Sequence, residues 1–258
     1  RLLHEGWTVV ITYAYDPKSD DAHRQFSQVA PDRFFMLEAD ASDLKSIESI
    51  NNLLIDNNLK LDAVVLNAGI TDRAEFGSIT PENWERVFTV NVHYPVFLLQ
   101  KINPLLNSSA SITFTGSLMG ILPHSVSLSY GVTKASVHAL IKNLVKFYAE
   151  KGIRVNGVAP GFVDTEWQKN KPQEIRDNIT RKIALGRFCS PEELTDVFML
   201  LINNSYMNGE IEMDGRRLVI KGVVHKTEKI HAIAENNSGN TMVTTRDLYQ
   251  PTVKAIDM

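Results

Sequence analysis

The chain has 258 residues, 43% of them hydrophobic and 22% charged, enough for one sizeable α/β core with room for an appendage. A net charge of −3 gives no basic footprint for nucleic acid or an anionic membrane, and no apolar run is long enough to span a bilayer. The one cysteine, Cys189, excludes an intrachain disulfide and fits a reducing cytoplasm, and the seven histidines lack the paired spacing of a metal site.

In chain order, Leu2-Leu3-His4-Glu5-Gly6 reads as the end of a helix. Solid apolar runs at residues 9–12, 34–37, 63–66, 112–115, 155–158 and 210–213 predict strands, and residues 44–57, 81–106, 130–151 and 191–202 predict helices between them. This alternation requires parallel βαβ units, and helices on both faces explain why the strands are apolar throughout. The helix at 81 opens with the cap residue Thr80 and a proline at N1, and the helix at 191 opens with the capping box Ser190-Pro191-Glu192-Glu193. Beyond Gly215, residues 230–234 and 241–245 flank Glu235-Asn236-Asn237-Ser238-Gly239-Asn240 in the pattern of a β-hairpin.

Chemistry concentrates in a few places along this frame. Tyr130 and Lys134 lie four residues apart, so on a helix they share a face and the ammonium comes within reach of the phenol. A phenol titrates near ~10, so acid–base work near neutrality needs about 4 kcal/mol of differential stabilisation of the phenolate, which a neighbouring cation supplies. Ser117, just past the strand at 112–115, offers a hydroxyl to the oxygen of a carbonyl or alcohol. Asn67-Ala68-Gly69 ends the strand at 63–66 in small residues that let a flat ligand approach the backbone. Asn91 is an amide inside an apolar helix, where propensity disfavours it and burial requires partners. Pro160-Gly161 ends a strand abruptly and starts a loop that runs on through Val163 to Thr165.

Together these motifs resemble the short-chain dehydrogenase/reductase family, most closely its 3-oxoacyl-carrier-protein-reductase-like branch, over residues 1–215. The resemblance implies a Rossmann-like doubly wound parallel sheet and hydride transfer between a nicotinamide and a carbonyl/alcohol pair. It implies that Tyr130 is the general acid/base, that Lys134 lowers the Tyr130 pKa and holds the nicotinamide ribose, and that Ser117 polarises the substrate carbonyl. Asn91 would position a water in the relay to Lys134. Asn67, Ala68 and Gly69 would line the cofactor cleft, Asp40 and Ala41 would hold the adenine edge, and Pro160, Gly161, Val163 and Thr165 would cover the nicotinamide. Tyr13 falls where NAD users carry an acid, so NADP leads, with NAD the alternative supported by nearby Asp16. A segment holding a helix at 172–183 matches the family's mobile lid. An acyl-thioester or other small-molecule substrate, acyl carrier protein as its carrier, and a homodimer or homotetramer follow as expectations. The other readings are an NAD-dependent alcohol or sugar dehydrogenase and a non-catalytic scaffold that lost the phosphate loop.

Two departures from the family pattern shape the expected fold. The opening strand and glycine-rich turn are missing ahead of Leu2, so the sheet should lack its central strand, and the chain reads as a fragment of a longer product. Residues 216–258 form a C-terminal extension, expected to be β-rich and distinct from the domain at 1–215.

Overall fold

Strands form where β-branched and aromatic residues cluster in the sequence, and helices where the apolar period lengthens. The computed structural model describes residues 1–123, 127–213, 218–222, 234–235 and 241–242. The chain runs β1 (Val9–Tyr13), α1 (Ser19–Val29), β2 (Phe34–Glu38), α2 (Ser46–Asp56), β3 (Leu61–Leu66), α3 (Pro81–Phe88), α4 (Tyr94–Ile102), β4 (Leu106–Thr115), α5 (Leu128–Tyr148), β5 (Arg154–Ala159), α6 (Glu166–Lys169), α7 (Gln173–Thr180), α8 (Pro191–Asn203), β6 (Gly209–Met213) and β7 (Leu218–Gly222). Each of the six expected strands is present, and β1–β2, β3–β4, β4–β5 and β5–β6 pair in parallel. This is the α/β, Rossmann-like arrangement.

The sheet is in two pieces. β1 and β2 form one, and β3-β4-β5-β6-β7 form the other in that order. A cleft of about 300 Å³ runs between the edges of β1 and β3, lined by Val9, Ile11, Val65, Asn67 and Phe198 among others. No described residue bridges the two edges with strand pairing. The chain divides into two units, Arg1–Lys221 and Gly222–Met258. In the second, β8 (Ala234–Glu235) and β9 (Thr241–Met242) pair antiparallel. The rest of the hairpin expected at 230–245 lies outside the described residues.

Three elements differ from expectation. Helix α1 is not expected, since Ser-Asp-Asp-Ala-His-Arg-Gln-Phe-Ser-Gln-Val carries only Ala22, Phe26 and Val29 as an apolar face and buries no residue. The helix expected at 81–106 is interrupted at Thr89–His93 by a π-turn, closed by the bond from the Tyr94 N–H to the Thr89 carbonyl five residues back. Helix α5 starts at Leu128 rather than Tyr130, because Ser127 caps it: its Oγ accepts the Tyr130 N–H at 3.3 Å and the Thr71 hydroxyl at 2.9 Å. The other caps form as read. Thr80 accepts the Asn83 N–H, and Ser190 and Glu193 close their reciprocal box.

The main core lies where β4 and β5 meet α2, α4 and α5. Ile112, Phe114 and Val155 pack with Leu54, Leu99, Ile141 and Val145, all 2% exposed or less. The buried stripe of α5 changes character along its length. Toward the carboxyl end it is Val137, Ile141, Val145 and Tyr148, and toward the amino end it is Ser129, Thr133, Lys134 and His138. The apolar half seats the helix on the sheet, and the polar half faces the carboxyl ends of β3, β4 and β5.

Replacing Ser127 with Ala removes the cap of α5 and the Thr71 bond, so urea unfolding should show a loss of about 1–2 kcal/mol.

Candidate active site

β4 ends at Thr115, and the chain then passes through Gly116 into Ser117, which caps a 3₁₀ turn at Leu118–Gly120. Ser117 is 6% exposed, and its Oγ accepts the Met119 N–H at 3.1 Å, leaving the hydroxyl proton to be donated elsewhere. The Leu118 N–H donates to the Pro160 carbonyl at 3.0 Å, which ties this turn to the loop after β5. Tyr130 sits in the first turn of α5, and its phenol is hydrogen-bonded to Ser117. Two side-chain hydroxyls from different elements therefore converge on one point.

Lys134 is one turn further along α5 and 4% exposed. Its Nζ donates to the Thr115 carbonyl at 2.7 Å and lies 5.6 Å from the centroid of the Tyr130 ring. Burial pushes its pKa down from the ordinary 10.5 to about 8. Tyr130 moves the opposite way to the sequence expectation, and its pKa is raised. Burial of the phenol is the larger effect and outweighs the Ser117 hydrogen bond, which favours the phenolate. The ammonium is spent on a backbone carbonyl beside the ring, so at rest the phenol holds its proton.

Asn91 sits in the π-turn at 2% exposure, with its side-chain oxygen and nitrogen both hydrogen-bonded within the protein. Its Oδ1 accepts the Ile70 N–H at 2.9 Å, and its Nδ2 donates to the Ile70 carbonyl at 3.0 Å and to the Thr133 hydroxyl at 2.9 Å. It clamps the loop after β3 to α5 between Tyr130 and Lys134. Gly69 lies in the same cradle, where a Cβ would stand 3.3 Å from both Asn91 Oδ1 and Lys134 Nζ. Ser117, Tyr130, Lys134, Asn91 and Gly69 are thus brought together.

The remaining residues read from the sequence border the same end of the sheets. Asn67 accepts the Thr115 hydroxyl at 2.9 Å and reaches the cleft beside β1, with Ala68 exposed next to it. Tyr13 ends β1, where its carbonyl accepts the Ala39 N–H at 2.7 Å, and exposed Asp40 with buried Ala41 follows β2. Tyr13, Asp40 and Ala41 thus sit at the carboxyl end of the two-stranded sheet, at or just past the ends of β1 and β2. The loop from Pro160 to Thr165 is held by Val163, which bridges to Cys189, and by Asp164, which pairs with Arg176 of α7 at 3.0 Å.

Sequence reading missed Thr115 and Thr133. The first acts through a backbone carbonyl, which has no sequence signature, and the second is a hydroxyl at i+3 from Tyr130 that only its Asn91 partner makes notable. The residues present fit the nicotinamide half of a dinucleotide: a glycine cradle opens beside a lysine ammonium and a tyrosine hydroxyl, at the carboxyl ends of parallel strands. Among the described residues no three His, Cys, Asp or Glu side chains gather to hold a metal ion, and no helix is long and apolar enough to cross a membrane.

A parallel nucleotide-binding fold with a buried Tyr-x-x-x-Lys turn facing a strand-end serine defines a Rossmann-type oxidoreductase. The family profile described as enoyl-(acyl carrier protein) reductase matches residues 1–215. The 3-oxoacyl-(acyl-carrier-protein) reductase FabG of Thermotoga maritima is 31% identical over 66% of this chain and 71% of its own length. The acetoacetyl-CoA reductase of a Synechocystis species is 33% identical over 67% of this chain and 74% of its own. Among solved structures, the NADP active-site complex of Pseudomonas aeruginosa RhlG superposes with a TM-score of 0.76 at 28% identity, covering 83% of this chain and 88% of that one. The chain belongs to the short-chain dehydrogenase/reductase family of NAD(P)-dependent oxidoreductases.

The fall in the Lys134 pKa to about 8 corresponds to a folding cost of about 3 kcal/mol. Between pH 8 and 10.5 the unfolded chain holds a proton at this lysine that the folded chain has released, so stability should rise with pH across that window. Lys134→Met should lose this rise, seen as the difference between the two urea-unfolding profiles, and should melt no lower than the unsubstituted protein at pH 7.

Proposed function

We propose that the protein reduces a 3-oxoacyl thioester with NADP(H), through a catalytic domain at residues 1–215 with residues 216–258 as an extension. The observation that carries this reading is the convergence of the Ser117 and Tyr130 hydroxyls on one point, with the Lys134 ammonium behind them. Bound there, the nicotinamide supplies the hydride. Ser117 donates a hydrogen bond to the substrate carbonyl oxygen, and Tyr130, protonated at rest, gives its proton to that oxygen as negative charge develops. Lys134 stabilises the phenolate left behind and holds the nicotinamide ribose, while Asn91 fixes the cradle and positions a water in the relay to Lys134. The reductive direction needs Tyr130 as an acid, and because burial makes the phenol a weaker one, the transfer depends on the Lys134 ammonium to stabilise the phenolate as it forms.

The cofactor preference rests on the end of β1, where Tyr13-Ala14 stands in place of an acid. Asp40, Ala41 and Tyr13 take the adenosine end, and Asn67, Ala68, Gly69, Pro160, Gly161, Val163 and Thr165 the nicotinamide end. The substrate class is supported by the names of the Thermotoga and Synechocystis relatives and by charge near the site. Lys171 lies over the Phe162 ring at 5.6 Å, and its ammonium is disfavoured by burial and by Arg73 and Arg176. With Arg176 already paired to Asp164, Lys171 and Arg73 are the cations that suit the phosphates of a carrier-bound or coenzyme-A-bound acyl chain. Assembly as a homodimer or homotetramer and delivery of the substrate on acyl carrier protein belong to the same proposal.

Tyr130→Phe should lower turnover of acetoacetyl-CoA with NADPH about a hundredfold or more while NADPH affinity, read by energy transfer from tryptophan, stays within about twofold. Equal turnover would remove Tyr130 from the acid role. In the unsubstituted protein kcat should decline above pH 8 as Lys134 loses its proton. Lys171→Ala should raise the KM for acetoacetyl-CoA about fivefold and leave that for an uncharged 3-oxo ester unchanged.

A further inference from the structure

Three residues at four-residue spacing on α5 meet three successive positions at the end of β4. Lys134 takes the Thr115 carbonyl, Tyr130 takes the Ser117 hydroxyl, and His138 reaches the peptide between Gly116 and Ser117. His138 is 7% exposed. Its Nε2 accepts the backbone N–H of Ser117 at 3.4 Å, a long bond between two buried groups. The imidazole also lies directly against Gly116, where a Cβ would stand 2.3 Å from Nε2 and 2.8 Å from Cδ2. From the other side the Gly116 N–H is held by the Val158 carbonyl at 2.7 Å. Gly116 is therefore held on both sides, β5 binding the peptide before it and a histidine of α5 binding the peptide after it.

We infer that His138 is a positioning residue: its imidazole fixes the Ser117 backbone against α5 and so sets where the Ser117 hydroxyl meets the substrate oxygen. The inference rests on the proposed role of Ser117. An apolar side chain at 138 would fill the same space, yet it would leave the buried Ser117 N–H without this acceptor and free the turn to shift. A small displacement of a donor that must match a developing oxyanion is costly to rate and nearly neutral for cofactor binding. A histidine that accepts at Nε2 carries its proton on Nδ1.

Two readouts test this. In protein labelled with ¹⁵N-histidine, the His138 signal, identified by its loss in His138→Gln, should show the Nδ1–H tautomer with a bare Nε2. An Nε2–H tautomer overturns the inference. In turnover of acetoacetyl-CoA, His138→Leu should lower kcat about tenfold or more at unchanged KM for NADPH. His138→Gln, whose side-chain oxygen can replace Nε2 as acceptor, should restore kcat to within about threefold of the unsubstituted enzyme. A folded Leu variant with full kcat, or a Leu and a Gln variant equally impaired, overturns the inference. The tautomer is read without turnover, so an unsubstituted protein inactive on acetoacetyl-CoA would count against the proposed substrate while the spectrum still decides the place of His138.

Discussion

An ammonium with 4% exposure needs an acceptor, and the arrangement around Lys134 follows from supplying one. The acceptor is the Thr115 carbonyl, the last of β4, so the strand must end where α5 passes and the chain must turn away immediately afterwards. That turn carries Ser117. The same ammonium stands 3.3 Å from where a side chain on residue 69 would begin, which leaves glycine as the residue that closes the cradle without displacement. Stability comes from elsewhere on the same helix, where Val137, Ile141 and Val145 pack on β4 and β5. One helix thus holds a secure apolar half and a costly polar half, and the first keeps the second in place.

The strands were legible as short apolar runs, and burial explains this for the second half of β4 and for β5, whereas β1 and β3 are half-exposed. β5 is the extreme case, with all six residues buried, Arg154 and Asn156 included. Arg154 escapes the pattern because its guanidinium is satisfied by the Leu201, Ile202 and Met207 carbonyls, a tertiary fact with no local trace. The Tyr130, Lys134 and Ser117 group was legible because side-chain chemistry and spacing declare it. Its electrostatics were not. The direction of the Tyr130 shift depends on how deeply the phenol is buried and on which acceptor the lysine chooses, and neither is a property of spacing. Helix α1 was missed because its apolar face is only Ala22, Phe26 and Val29 among polar residues, a short stripe that leaves no residue buried.

The division of the sheet bears on how a dinucleotide is held. Tyr13 ends β1 and Asp40 and Ala41 follow β2, while Asn67 and Gly69 follow β3, Ser117 follows β4 and Lys134 lies on α5. A cofactor gripped at both ends as proposed would bridge the cleft between β1 and β3, adding a tie between two pieces that no strand pairing joins among the described residues. Binding and the integrity of the nucleotide fold are then linked, since a ligand that binds only the native state stabilises it.

The π-turn at Thr89–His93 has an implication for how this segment can vary. It places one more residue in a turn than an α-helix would, and Asn91 lies within it, turned toward Ile70 and Thr133. A π-turn absorbs its extra residue within the helix, so deleting that residue would restore a plain α-helix and leave Leu99 and Ile102 facing the core. What would be lost is the local backbone path that carries Asn91 toward Ile70 and Thr133. The extra residue therefore serves the clamp rather than the packing.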